Sequence, residues 1–192
     1  MFKNIFLASY PKSGNTWLRS IILSSLQQNN IINIKDLSKI RLLSDKMNFT
    51  SFKNKIYDKK GLIDYDWMSK NLILCQKKLN ENTKYNFIFK THSVRHKSFT
   101  NETVNAGFIY IVRDPRDVVV SLSNFSGINL DEAINQVVFN KQLMTNANGA
   151  RELVSNWELN IKSWLEYKSV PCLFIRYEDL LIKPNNIIFK II

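Results

Sequence analysis

The sequence predicts a three-layer α/β domain, a central parallel sheet flanked by helices. Three observations predict it. Four short apolar runs, rich in aromatic and β-branched residues, read as strands. Their apolar side chains fall on consecutive positions, the pattern of strands covered on both faces. These runs alternate with segments of helical periodicity, as βαβ units require. At 192 residues one domain is the default, with room for a sizeable core.

The first strand is expected over residues 5–10, Ile-Phe-Leu-Ala-Ser-Tyr. A helix follows over 16–28, carrying Trp17, Ile21, Ile22 and Leu26 at helical spacing. Residues 29–64 are rich in Asn, Lys and Ser and predict irregular structure or short helices. The second helix is expected over 65–79, with Trp67, Met68, Leu72 and Leu79 on its apolar face. Strands two and three are expected over 85–90 and 107–112. Asp114 as N-cap, Pro115 at the first helical position and Asp117 in the first turn start a helix over 115–125. Leu153, Trp157, Ile161, Trp164 and Leu165 predict another over 152–167, and the fourth strand is expected over 170–177. Residues 184–192 read as the opening of an apolar helix that stops on Ile without a cap, so a chain cut short is expected, with several exposed isoleucines.

Lys and Arg outnumber Asp and Glu by 27 to 16, a net charge of +11. Such a surface favours anionic partners: phosphorylated nucleotides, nucleic acid or acidic membranes, unless the lysines merely solvate it. Cys75 and Cys172 form no CxxC or Cys/His cluster, so neither a zinc site nor a disulfide framework is expected. Both are expected to act as small hydrophobes in a reducing, cytoplasmic compartment. The N-terminus passes directly into a strand-like run, too short for a signal peptide. No run approaches about 18 apolar residues, so no membrane span is expected.

The loop Tyr10-Pro11-Lys12-Ser13-Gly14-Asn15-Thr16-Trp17 lies between the first strand and its helix. Gly14 permits a tight turn and close approach to a ligand. The helix start offers free N–H groups and the positive end of a dipole, which suits phosphate or sulfate. Lys12 adds a point charge, and Ser13, Asn15 and Thr16 add hydrogen-bonding groups. This differs from the G-K-[ST] phosphate loop, because Lys precedes the single Gly. An ordinary turn with a surface lysine is the plain alternative.

The string resembles the 5′-phosphosulfate loop of the sulfotransferases that use 3′-phosphoadenosine 5′-phosphosulfate (PAPS), written Y-P-K-S-G-T-T-W. Only Asn15 departs from it. The resemblance implies a fold like that of the P-loop-containing nucleotide hydrolases. It also implies a loop that wraps the phosphosulfate, with Lys12 at the transferred group and Trp17 packed on the adenine. Core packing is the other role open to Trp17.

Two further segments resemble the same family. Arg113, at the end of the third strand, can fork onto a phosphate, and Ser121 lies about two turns into the following helix. The resemblance implies that both bind the 3′-phosphate, while Arg116 is expected in solvent. Lys90-Thr91-His92 follows the second strand, and ligands of open parallel sheets gather at such strand ends. The resemblance implies that His92 takes the acceptor proton and Lys90 stabilises charge, and the wider catalytic set expected is Lys12, Lys90, His92 and Ser121. Tyr177-Glu178-Asp179 resembles a segment whose Tyr lines the nucleotide site, with Glu178 and Asp179 expected to orient local structure. A later R-K-G and G-x-W segment of the family has no match here.

The resemblance thus implies sulfuryl transfer from PAPS to a small-molecule or carbohydrate acceptor, with no metal and no nucleic-acid partner. It says nothing of oligomeric state. A non-catalytic basic domain for nucleotides or polyanions is the first alternative. A P-loop nucleotide kinase is the second, and it would need the missing G-K-[ST] loop.

Overall fold

Hydrogen bonding joins the four main strands into one parallel sheet. The computed structural model describes residues 3–27, 33–81, 87–145 and 150–191. In chain order, β1 (Asn4–Ala8) leads through the loop into α1 (Asn15–Gln27). Two 3₁₀ segments, Ile34–Lys39 and Lys46–Ile56, fill the Asn- and Lys-rich stretch, and residues 28–32 lie outside the described ones. Then come α2 (Tyr65–Lys70), α3 (Leu72–Glu81), β2 (Ile88–Thr91), β3 (Asn105–Val112), α4 (Pro115–Ser126) and α5 (Leu130–Ile134). A π-helical turn, Asn135–Phe139, precedes β4 (Met144–Thr145) and β5 (Glu152–Leu153). The chain continues through α6 (Trp157–Leu165), β6 (Cys172–Arg176), α7 (Tyr177–Ile182) and α8 (Pro184–Ile191).

The sheet order is β2-β1-β3-β6, every neighbouring pair parallel. Side chains alternate between its faces. Phe6, Ala8, Phe89, Phe108 and Tyr110 face Trp164 of α6, Met68 of α2 and Leu72 of α3. Leu7, Ile111 and Ile175 face Leu18 and Ile22 of α1 and Leu180 of α7. The three layers expected from the sequence are therefore present. A third cluster, including Tyr10, Val118, Leu122, Ala133 and Val137, packs α4 and α5 beyond the strand ends.

Some elements differ from expectation. The helix expected over 65–79 is two helices. Asn71 turns its side chain onto the Trp67 carbonyl at 2.8 Å and ends α2. The helix expected over 152–167 starts at Trp157, because the Asn156 side chain accepts from the Leu159 N–H and caps it. Ser155, at φ 62°, turns the chain just before that cap, and Glu152 and Leu153 pair with β4 instead. Tyr177 opens α7 rather than closing the fourth strand. Residues 85 and 86, expected in the second strand, lie outside the described residues.

Cys75 is buried, with its Sγ 3.2 Å from the Asn48 carbonyl, and burial pushes its thiol up to about 12. Cys172 was expected to pack as a small hydrophobe, but β6 ends the four-strand order and leaves it exposed. The isoleucines of the last helix are less exposed than expected. Ile187 is buried against the Leu180 cluster and Ile191 packs beside it, whereas Phe189 is exposed. Ile192 lies outside the described residues.

Candidate functional site

Because all four main strands run the same way, their carboxyl ends share one edge. Each delivers a candidate residue to it. The loop after β1 carries Lys12, β2 ends in Lys90 and Thr91 with His92 next, Arg113 follows β3, and Tyr177 follows β6. A cavity of about 600 Å³ opens there. Lys12, Gly14, Asn15, Thr16 and Trp17 line it from the loop and the first turn of α1, and Lys90 and His92 from β2. Arg113, Ser121 and Tyr177 complete the expected set.

Ser13 is the expected site residue that does not line the cavity. Its side chain is buried, and its N–H donates to the Tyr10 carbonyl at 3.3 Å, which commits it to closing the turn. The turn needs unusual backbone on either side. Lys12 sits at φ 67° and Gly14 at φ 97°. A Cβ at Gly14 would lie 2.5 Å from Cδ2 of Tyr177, so loop and aromatic ring fit together only through glycine. Asn15 anchors the helix start from beneath, donating through Nδ2 to the Leu7 carbonyl at 3.0 Å and to Ser9 Oγ at 3.2 Å.

Arg113 spans the cavity floor. Its Nη1 donates to the Lys12 carbonyl at 3.2 Å, and its guanidinium lies 4.5 Å from the centre of the Tyr177 ring. Tyr177 in turn meets Trp17 edge-on at 5.8 Å, and Trp17 also packs against the Leu18 cluster. Both roles open to Trp17 are thus compatible with its position. The Trp157 indole N–H donates to the Arg113 carbonyl at 3.1 Å, and Glu178 accepts from the Asp114 N–H at 2.9 Å. Glu178 therefore orients local structure, as expected. Arg116 points into solvent and pairs with Asp114 at 2.6 Å.

His92 is held by its own ring. Its Nδ1 lies 2.8 Å from the Ser9 carbonyl. A carbonyl only accepts, so Nδ1 carries the hydrogen and Nε2 keeps a free lone pair. Burial, then the neighbouring Lys90 charge, push the imidazole down to about 3, so it is neutral at ordinary pH. Burial lowers Lys90, with the charges of Arg19 and Lys12 adding to it. Burial and the nearby Arg113 lower Lys12. The site is a crowd of cations around a neutral imidazole.

Residues 2–192 match the sulfotransferase domain family. The chain belongs to that family. It is 26% identical over 183 residues to flavonol 3-sulfotransferase of Flaveria bidentis, covering 92% of this chain and 51% of that relative. It is 28% identical over 194 residues to sulfotransferase 1B1 of Canis lupus familiaris, covering 98% and 57%. The chain spans about half the length of the curated relatives it matches. The crystal structure of mouse sulfotransferase SULT7A1 complexed with PAP superposes with a TM-score of 0.60 at 22% identity, over 98% of this chain and 57% of that one. Retinol dehydratase in complex with androsterone and inactive cofactor PAP also gives 0.60, at 19% identity over 98% and 58%. At such identities the likeness establishes the P-loop-like sulfotransferase fold.

Four residues of this sulfotransferase domain escaped the sequence reading. Phe125 lines the cavity one turn after Ser121, with the Lys12 ammonium 3.6 Å from its ring centre. The helical spacing from Ser121 was the available signal. Ser9 fixes the His92 tautomer through a main-chain carbonyl that leaves no mark in sequence. Arg19, one turn into α1, donates to the Leu37 and Ile40 carbonyls and adds charge behind Lys90. Glu152 lay inside a misplaced helix.

Proposed function

We propose that this chain transfers a sulfuryl group from PAPS to a hydroxyl or amine acceptor. One observation carries the reading. Two candidate anion stations, the Lys12 loop at the start of α1 and the Arg113–Ser121 pair, line the same cavity as His92. A nucleotide phosphorylated at both ends needs two such stations. The cavity volume lies within the usual range for small-molecule sites. Asn15 Oδ1 and Arg113 Nε are buried without a hydrogen-bond partner, which suits a polar ligand. The PAP complexes of the fold relatives support the donor, and the relatives' names support a small-molecule acceptor, with carbohydrates in the same chemical class of hydroxyls.

In this reading the acceptor oxygen or nitrogen attacks sulfur as the bond from sulfur to the bridging phosphate oxygen breaks. The acceptor proton passes to His92 Nε2. The electron pair of the broken bond stays on the phosphate, and 3′-phosphoadenosine 5′-phosphate (PAP) leaves. Lys12 and the N–H groups at the start of α1 meet the growing negative charge, and Lys90 adds a second cation. Burial is the main reason His92 is held low; binding of the anionic donor offsets the added repulsion from Lys90 and the other cations and so strengthens it as a base. The charge is met by side chains, and no metal takes part in the scheme. The exposed free thiol of Cys172 fits a reducing, cytoplasmic compartment.

Substitution separates the two functions of the site. His92→Ala should abolish transfer, followed with a labelled donor, and leave PAP affinity nearly unchanged. Arg113→Ala should weaken PAP binding by ~1.5–3 kcal/mol, the loss of charge-assisted hydrogen bonds. Near-normal turnover in His92→Ala would place the base elsewhere.

A further inference from the structure

Glu152 is a buried acid, 1% exposed, directly beneath the base. Its Oε1 accepts from the Thr91 hydroxyl and its Oε2 from the His92 main-chain N–H, each at 3.3 Å. Next along the chain, the Leu153 carbonyl accepts from the Val94 N–H at 2.9 Å. Thus β5 runs along the segment that presents His92 and ties it down at four points, the fourth being the Ser93 hydroxyl on the same Leu153 carbonyl at 3.4 Å. Among the described residues Glu152 makes no salt bridge. A carboxylate buried with two long hydrogen bonds from the strand end, and only the Ser44 hydroxyl nearby besides, is costly. A glutamine or an apolar residue would fill the place with less penalty if packing were its whole purpose.

We propose that Glu152 is a positioning residue for the base: it grips the His92 main chain and supplies a buried counter-charge to Lys90, the cation beside the imidazole. Lys90 from β2 acts on both Glu152 and His92, and Arg19 from α1 and Lys12 from the loop add positive charge at the imidazole. The inference rests on the sulfotransferase reading for what His92 does, but not for where Glu152 sits.

A pH dependence follows from this placement. Burial lifts the Glu152 carboxyl to about 7, against the opposing pull of its hydrogen bonds and of Lys90. His92 is held far lower, at about 3. Near neutrality the group that changes charge is therefore Glu152. As pH falls through that value the carboxylate takes a proton. One oxygen then becomes a donor, so the Thr91 hydroxyl must turn from donor to acceptor, while the His92 N–H still needs the other oxygen; the counter-charge disappears. The strand end loosens while the imidazole itself stays neutral. As pH rises again, the grip and the counter-charge return together.

The test compares the full chain with E152Q and T91V, using transfer rate against pH, PAP affinity, melting temperature and the His92 imidazole nitrogen resonances. In the unsubstituted chain the rate should fall on the acid side with a midpoint near 7. The His92 resonances should move with the same midpoint without reaching imidazolium positions. E152Q should lower the maximal rate roughly tenfold or more, as misplacement of a reacting group does. It should also remove both the acid limb and the resonance shift, with PAP affinity unchanged. T91V deletes a hydrogen bond that favours the ionised acid, so the midpoint should move up, which keeps the proposal testable if E152Q folds poorly. An E152Q protein that melts lower but keeps the acid limb and the His92 shift, or an unmoved midpoint in T91V, overturns the proposal. If the unsubstituted chain neither binds PAP nor transfers sulfate, the sulfotransferase reading fails. The His92 resonances still decide on Glu152, because identical behaviour in the unsubstituted chain and E152Q refutes it.

Discussion

Gly14 shows how tightly single residues define the site. Its φ of 97° is open to glycine, and any Cβ there meets the Tyr177 ring. Gly14→Ala should cost about 1–3 kcal/mol of stability from backbone strain. It should also lower PAP affinity, because Tyr177 must shift and carries the Arg113 guanidinium with it. Thermal melting and calorimetry on the same variant check both. A fully stable alanine variant with unchanged affinity would show that the loop is slack. At this scale the site was largely legible. Lys12, Gly14, Asn15, Thr16, Trp17, Lys90, His92, Arg113, Ser121 and Tyr177 were all picked out in sequence, and all line one cavity. Their spacing relative to strand ends is short-range information. Ser13 closes the turn with its side chain buried rather than lining the cavity; a residue that closes a turn looks, in sequence, like one that faces outward. Ser9 and Glu152 were missed because they act across the fold, through partners 83 and 60 positions away.

At the scale of elements, α6 is the brace of the base-bearing segment. Asn160 Nδ2 donates to the His92 carbonyl at 2.9 Å, and Asn160 Oδ1 accepts from the Tyr110 hydroxyl at 2.7 Å. The Ser163 hydroxyl accepts from the Arg95 N–H at 2.9 Å, and the Trp164 indole donates to the Ser93 carbonyl at 3.0 Å. Trp164 also packs within about 6 Å, centre to centre, of Phe6, Phe108 and Tyr110 on the sheet. Its truncation to Ala should cost ~3–5 kcal/mol, the range for large-to-small changes in a core. Denaturant unfolding measures this, and a loss well under that range would contradict Trp164's place in the core. The helix itself was legible from Trp157, Ile161, Trp164 and Leu165, but its start was not. Apolar spacing reached back to Leu153, and the competing signal was the Asn156 cap. A cap decides a boundary by one hydrogen bond, which periodicity cannot register. The same holds for the break at Asn71.

For the whole molecule, the parallel register explains why one edge gathers the chemistry. Ala8 pairs with Thr91 and Tyr110, and Val112 with Arg176, so the loops that follow leave the sheet at nearly one level. The α/β class was legible because consecutive apolar residues mark covered strands. The edge position of β6 was not, since strand order depends on pairing between distant segments. The net charge of +11 was legible too, but only the fold shows that Lys12, Lys90 and Arg113 line one cavity, with Arg19 adding charge behind Lys90. The central claim is that this convergence reads a nucleotide carrying phosphate at both ends. The most direct measurement is calorimetric titration of the chain with PAP and with AMP, which differ only in the 3′-phosphate. PAP should bind at least about tenfold more tightly, since a charge-assisted contact contributes ~1.5–3 kcal/mol, and Arg113→Ala should erase most of the difference. Equal affinity for the two nucleotides would contradict the claim.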